Sequence, residues 1–453
     1  MRIVVVLLAA RSICVAQDLA DRYRAAAEKL IDTAMADRDG YAKLEYLCDR
    51  IGNRLSGSES LERAIEWARD TMQRDGLSNV RTIPVKVPHW VRGTESARLV
   101  EPEDRALHML GLGMSVGTPP GGIAGDVVVV SDFDELNRLG RAGVQGKIVL
   151  FNERFRGYPQ TSPYRVDGPS RAAALGAVAA LVRSVTPLPM EIPHTGMLSY
   201  DPAQPKIPAA AVSVEDALMM ARFAEQKMPV KVHLEMNARM EPDADSFDVM
   251  GEIPGRERPE EVVVLGGHID SWDVGQGAQD DGSGIIACLE AVELIKKAGL
   301  EPRRTIRVVF WVNEENGVRG GEAYRKWLKG QVRDHVAAIE MDGGAETPRG
   351  FGFGGPLASL PTVQRIGKLL DRIGAGEIVA GGGGADIAPL ALEGVPPLGV
   401  RTDAEHYFDW HHSVADTLDK VDLQEFRKNI ASLAVMSYVL ADMPGRLSGT
   451  PEK

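Results

Sequence analysis

Cysteine is scarce: the 453-residue chain has three, Cys14, Cys48 and Cys288, and no C-x-x-C pair. That excludes a disulfide-stapled scaffold and a cysteine-rich zinc finger alike, so any metal here must be held by imidazole and carboxylate. Positive charge is also short. Asp plus Glu outnumber Lys plus Arg by 64 to 52, a formal charge of −12, and such a field repels phosphate backbones and anionic lipid. Nucleic acid is not an expected partner. Past the N-terminus no stretch offers about 18 apolar residues in a row, so no membrane span is expected in the mature chain. There is no repeat of fixed period and no low-complexity tract longer than glycines 381–384. What the chain does have, 44% apolar and 26% charged residues, is the balance of a folded protein with room for two or three domains.

The first residues, MRIVVVLLAARSICVA, place one Arg before a short apolar run and end on small residues. Residues 1–16 therefore read as a secretory signal peptide, which would make the protein secreted or periplasmic. A buried N-terminal strand is the alternative, because Arg11 and Ser12 interrupt the run. Residues 17–97 begin with helical composition from Asp18 to about Gly76 and continue into a strand-like piece, Val80 to Val87. Between 98 and 240 the texture changes to short β-rich runs (Asp126 to Val130, Lys147 to Phe151, Ala209 to Val214) between Pro/Gly loops, with an alanine-rich stretch from Arg171 to Val182. This reads as an inserted module, with Glu241 to Asp245 as its exit linker.

Residues 241–453 alternate strands with helices, which predicts an α/β fold with a mixed central sheet covered on both faces. Val262 to Leu265 is a central-strand run. Ile285, Leu289, Val292 and Ile295 recur at helical spacing with Ser283 placed as N-cap. Thr305 to Val312, Val336 to Met341 and Pro397 to Arg401 read as further strands, and Leu423, Phe426, Ile430 and Leu433 as a closing helix.

Acidic and imidazole side chains fall at the ends of those strands. The first runs into His268 and Asp270, the second into Glu314 and Glu315, the third into Asp342. In open α/β sheets the crevice outside the carboxyl ends of strands is where ligands bind. His268 and Asp270, two apart, project to one side of an extended chain, so the Asp270 carboxylate is placed to accept the second ring N–H of His268. Asp280 and Asp281 follow in D-D-G-S-G before a helix, and His411 and His412 come late in the chain. The set His268, Asp280, Glu315, Asp342 and His412 offers nitrogen and oxygen donors suited to zinc, with manganese or cobalt less favoured. With Asp280 bridging, each of two ions receives one His, one terminal carboxylate and a share of the bridge, at a spacing of about 3.5–4 Å. Three carboxylates against two dications leave one net positive charge, which a bridging hydroxide would neutralise. Adjacent side chains diverge, so if Glu315 faces a metal, Glu314 is free to face the water as general base.

The ordered motifs G-G-H-I-D-S-W-D (266–273), G-A-Q-D-D-G-S-G (277–284), N-E-E-N-G (313–317), M-D-G-G (341–344) and H-S-V-A-D-T (412–417) resemble those of the co-catalytic dizinc aminopeptidases and glutamate carboxypeptidases. The resemblance spans most of the chain and implies a three-layer α/β/α peptidase domain with a β-rich protease-associated domain inserted at 98–240. It implies that His268 and Asp342 hold one zinc, Glu315 and His412 the other, that Asp280 bridges, that Glu314 is the base and that Asp270 orients a ligand. It also implies an often-cis peptide bond after Asp280, and a dimer. His412 is preferred to His411 because the family pattern is His, then Ser or Thr, two residues, an acid and Thr. One departure stands out: where much of the family reads Ser-Asp-His, this chain reads Ala385-Asp386-Ile387.

The expected activity is hydrolysis of dipeptides or short peptides. The rivals are an aminopeptidase acting on longer peptides, an aminoacylase-like deacylase, a glutaminyl cyclase on a related fold, and a receptor-like protein without metals. Two ions would favour the peptidase, one the cyclase, none the receptor. Which end of the peptide is read stays open. Asp386 is a candidate for a free amine and Arg401 for a free carboxylate, and a dipeptidase would need both.

Overall fold

Along the Arg258–His268 strand, Val263 and Leu265 enter one apolar cluster while Val262 and Val264 enter another. The neighbouring Arg304–Trp311 strand repeats the split, with Ile306, Val308 and Phe310 on one side and Val309 and Trp311 on the other. Successive strand residues point to opposite faces, so a run that is apolar at every position must be covered on both. The computed structural model, which describes the backbone of residues 2–447 and the side chains of 19–447, shows both covers. Helices Arg2–Ala36, Glu59–Arg74, Ser283–Lys297 and Leu423–Asp442 lie over the first face, Arg319–Trp327 and Ala388–Ala391 over the second. The result is a mixed α/β architecture of three layers.

Eight strands make this sheet, in the order Ser78–Val91, Arg239–Ile253, Arg304–Trp311, Arg258–His268, His335–Glu340, Pro397–Thr402, Pro348–Phe353, Glu377–Ala380. The third to sixth are mutually parallel, and antiparallel pairs flank them. A second eight-stranded sheet is built from strands lying between Glu95 and Met236. Its chain leaves the first sheet after Val91 and re-enters at Arg239, which are paired neighbours, so the excursion opens and closes at one point on the edge.

Four details depart from the sequence reading. The Glu241–Asp245 piece is not a linker but part of the long Arg239–Ile253 strand, whose backbone groups are taken up by Ser78–Val91. The second sheet is less purely β than its composition implies, since it carries helices Phe133–Val144, Tyr158–Val166, Gly168–Ala174 and Val214–Glu225. The alanine-rich stretch divides into the end of one helix, Gly168–Ala174, and a buried strand, Ala179–Arg183. Ser283 does not cap its helix: Gly282 occupies that position, and the Ser283 hydroxyl donates instead to the Gln279 carbonyl at 3.4 Å. The expected leader at 1–16 falls outside the residues whose side chains are described. Among the described residues no helix is long and apolar enough to cross a membrane.

His335 gives the fold a pH dependence of its own. It is buried at the start of its strand with Nε2 2.8 Å from the Tyr324 hydroxyl, which accepts from Arg307 and so has its proton left for the imidazole. Burial and then the Arg307 charge push the ring down to about 3. The unfolded chain therefore takes up this proton first: the contribution is complete above the ordinary imidazole range near 6.5 and is lost as pH falls towards 3, by up to about 1.4 kcal/mol per pH step. We expect the unfolding midpoint to drop on acidification from pH 7 to 4 and His335→Gln to flatten that slope. Identical slopes for the two proteins in a calorimetric pH series would count against the assignment.

Candidate metal centre

Strand register puts the chemistry at one edge. His268 is aligned with Trp311, just before Asn313-Glu314-Glu315, and Gly266 is aligned with Glu340, two residues before Asp342. Asp280 and Asp281 precede the Ser283–Lys297 helix, which packs on the same strands, and the peptide bond between them is cis. The turn after the Tyr407–Trp410 helix supplies His411 and His412, the latter in the left-handed region at φ 59°, where a residue with a Cβ stays only when its surroundings hold it.

Asp280 lies between two imidazoles. Its Oδ1 is 3.2 Å from His268 Nε2, and its Oδ2 is 3.1 Å from His412 Nε2. Asp342 Oδ1 approaches His268 Nε2 at 3.3 Å, and Glu315 Oε2 approaches His412 Nε2 at 3.0 Å. The five candidates thus separate into His268–Asp342 on one side and His412–Glu315 on the other, with one Asp280 oxygen turned to each. Two donors about 2.0–2.1 Å from a tetrahedral ion lie roughly 3.3–3.5 Å from each other, so these spacings are close to those of ligands sharing a cation. His411 is near as well, its Nε2 3.5 Å from Asp280 Oδ2 and its ring stacked on that of His412 at 3.5 Å. Only His412 also meets Glu315.

Two buried carboxylates, Asp280 and Glu315, two buried imidazoles and the more exposed Asp342 converge here, a donor set that suits a cation. Burial, with the Asp280 charge next, pushes Glu315 up to about 7. Asp280 is held well below the usual carboxylate range by the His268 and His412 contacts, which outweigh its burial. Glu314 is pushed well up by burial and by the Asp342, Glu315 and Asp280 charges. Unlike Glu315 it is only half-buried, as expected for neighbours that diverge.

The surrounding layer differs from the sequence expectation at Asp270. The His268 Nδ1 bond goes to the Asp270 backbone carbonyl at 3.0 Å, and the nearest carboxylate oxygen is 3.8 Å off. That carboxylate is engaged elsewhere, accepting the backbone N–H of Glu314 at 3.1 Å and of Glu315 at 3.3 Å. Asp270 thus fixes the tautomer of His268 through its main chain and the Glu314-Glu315 turn through its side chain. Asp281 points away from Asp280 into a slot between Gly267 and Gly284, where a Cβ at either glycine would strike its carboxylate, and accepts the His268 N–H at 3.1 Å. The glycines of both motifs are space for this acid.

Two supporting residues escaped the sequence reading. Asp416, the acid of H-S-V-A-D-T, accepts three successive backbone N–H groups, those of Ala278, Gln279 and Asp280, at 3.1, 2.7 and 3.2 Å. Arg54, wholly buried, donates to the carbonyls of Ile269, Gly52, Gln276 and Gly277 at 2.7–2.9 Å, closing the loop that joins His268 to Asp280. The Asp was inside a quoted motif; the Arg had no signal, since its partners are main-chain atoms. Arg54→Met strands four buried carbonyls, so we expect a stability loss of about 3–5 kcal/mol in denaturant titrations together with weaker metal retention. A wild-type midpoint would contradict that role.

The second sheet reaches the site through the turn bearing the two histidines. His194 places its Nδ1 2.6 Å from the His411 carbonyl, and the Thr195 N–H donates to the His412 carbonyl at 2.9 Å. Burial pushes His194 down to about 4, so it makes this bond as a neutral ring. Trp272 leans on the His412 ring at 5.6 Å and fills the space over Gly113.

Asp386 and Arg401 are not brought together. Asp386 is 1% exposed, with both carboxylate oxygens free of hydrogen bonds, and is raised by burial and by the nearby Glu340 and Glu314 charges. Arg401 instead pairs with Glu377 on the outermost strand at 3.1 Å.

A family model described as peptidase family M28 matches residues 248–436. Carboxypeptidase Q of Mus musculus is 43% identical over 403 residues, 89% of this chain and 86% of the relative. The Homo sapiens protein of that name is 42% identical over 408 residues, 90% of this chain and 86% of its own. Among solved structures, a peptidase M28 precursor from Shewanella amazonensis is similar at a TM-score of 0.91 with 32% identity, covering 96% of this chain and 100% of its own. A zinc aminopeptidase from Bacillus subtilis is similar in fold at a TM-score of 0.67 with 18% identity, covering 91% of this chain and 97% of its own.

Proposed function

Since the chain belongs to peptidase family M28, we propose that it is a zinc-dependent exopeptidase of dipeptides or short peptides, with His268 and Asp342 holding one ion, Glu315 and His412 a second, and Asp280 shared between them. The observation that carries this reading is Asp280, one oxygen turned to each imidazole at 3.2 and 3.1 Å. When bound, the ions supply Lewis-acid polarisation of the scissile carbonyl and ease the ionisation of water.

The chain's own residues do the rest. Glu314, half-buried beside the cluster, takes the proton of the attacking water and hands it to the leaving amine. Asp270 keeps Glu314 and Glu315 in register by holding both backbone N–H groups. Asp416 and Arg54 fix the main chain on which Asp280 stands.

We read residues 98–240 as a protease-associated domain inserted between the two parts of the peptidase domain, 17–97 and 241–453. The second sheet and its paired exit and entry at Val91 and Arg239 support this. We also read the protein as secreted or periplasmic, from the composition of residues 1–16.

The test is metal analysis and hydrolysis on the same preparation. We expect two zinc ions per chain, loss of dipeptide hydrolysis on chelation and its return with zinc. A single ion at full activity, or activity indifferent to chelation, would remove the two-metal reading.

A further inference from the structure

Arg165 is 4% exposed in the Tyr158–Val166 helix, on the side of the second sheet that meets the histidine turn. Three other buried arginines among the described residues are well supplied: Arg304 has Glu261, Arg307 has Glu252, and Arg54 has four carbonyls, while Arg427 bonds the Asp37 carbonyl through its Nε–H. Arg165 has as hydrogen-bond acceptors only the Thr195 carbonyl at 3.1 Å and the Tyr158 hydroxyl at 2.6 Å, its Nε–H has no acceptor, and its guanidinium lies 5.3 Å from the centre of the Tyr158 ring. Among the described residues no carboxylate lies within ion-pair distance of it. A cation kept out of water without a counter-charge is strongly disfavoured, so an anion is expected to complete it.

The place is close to the chemistry. The Tyr158 ring stands edge-on to His411 at 5.0 Å, and His411 Nε2 is 3.5 Å from Asp280. Thr195, which accepts from Arg165, also donates to the His412 carbonyl. The Tyr158 hydroxyl accepts from Arg165 and has its own proton left to donate, and Tyr158 is half-buried where Arg165 is buried. One imidazole separates this donor from the metal cluster, a reach that suits the carboxylate of a single residue beyond the scissile bond.

We propose that Tyr158 and Arg165 form the subsite for the free α-carboxylate of the substrate, with the phenol touching the carboxylate and the guanidinium supplying the charge behind it. This rests on the exopeptidase reading above and specifies its substrate class: peptides with an unblocked C-terminus, cut one residue from that end. It also reassigns the role expected of Arg401, which Glu377 occupies.

The experiment compares the zinc-loaded protein on Ala-Ala and on Ala-Ala amide, with metal content measured for every variant. Wild type is expected to favour the free acid by about 10²-fold in kcat/KM, since a site built for a charged group rejects the analogue lacking it. In Arg165→Gln that preference should collapse to within a few-fold through a rise in KM for the free acid, with zinc content retained. Tyr158→Phe, which keeps the ring, should lose roughly ten-fold of it. Preference undiminished in both variants, or wild type cutting acid and amide equally, overturns the subsite while leaving the exopeptidase standing. No hydrolysis of either compound by zinc-loaded wild type overturns both.

Discussion

Replacing Glu314 by Gln is expected to lower kcat by two to four orders of magnitude while both zinc ions remain bound. The amide keeps the volume of the carboxylate and loses the ability to accept and return a proton, a function that typically contributes 10²–10⁴-fold. The geometry supports the separation of roles: Glu314 has no hydrogen bond to either imidazole, whereas Glu315 sits 3.0 Å from His412 Nε2. The fold should be undisturbed, because the Asp270 carboxylate grips the backbone N–H of residue 314 and not its side chain. Metal analysis beside steady-state kinetics is the check. Near-normal turnover would strip Glu314 of the role, and loss of zinc would move it among the ligands. Glu315→Gln provides the contrast, since it should shed metal.

The second large effect belongs to Asp280. With one oxygen toward each imidazole it is common to both halves of the cluster, so Asp280→Asn should empty both positions, whereas His268→Ala should chiefly weaken the one shared with Asp342. Activity should fall by at least 10³-fold in each case, because carbonyl polarisation and water ionisation are lost with the ions. Thermal stability is the more telling readout. With its ions lost, the Asp280→Asn variant forfeits the stabilisation that a bound metal gives the folded chain, so its unfolding midpoint should fall below that of zinc-loaded wild type. Full zinc content in Asp280→Asn by mass spectrometry would contradict its place between the two ions.

How far the sequence went depended on where information is stored. The strands and the helix beginning at Ser283 were readable because each covers a continuous apolar periodicity, and the strand ends carried their acids and imidazoles with them. His412 was separable from His411 by motif alone, and the geometry favours the same residue through Glu315. Three things were not readable. Arg54 acts on carbonyls, which every residue has, so nothing marks its partners. The Asp270 carboxylate was given to the wrong neighbour because strand periodicity says which side of a chain a group faces, not that two amides of another strand's loop will reach it first. Glu241 to Asp245 looked like a linker for its charge and proline, yet an edge pairing accommodates both on its exposed side.

The clamp of His194 and Thr195 on the histidine turn has a consequence in time. Four of the five donors are present once residue 342 has been synthesised, but the last arrives only with residue 412, and the atoms that seat it come from a segment made more than two hundred residues earlier. A chain that ends before residue 412 lacks the last of these side chains, however well its first sheet has formed. On the two-ion reading, activity should therefore appear only in chains that extend past residue 412 and whose two sheets have met.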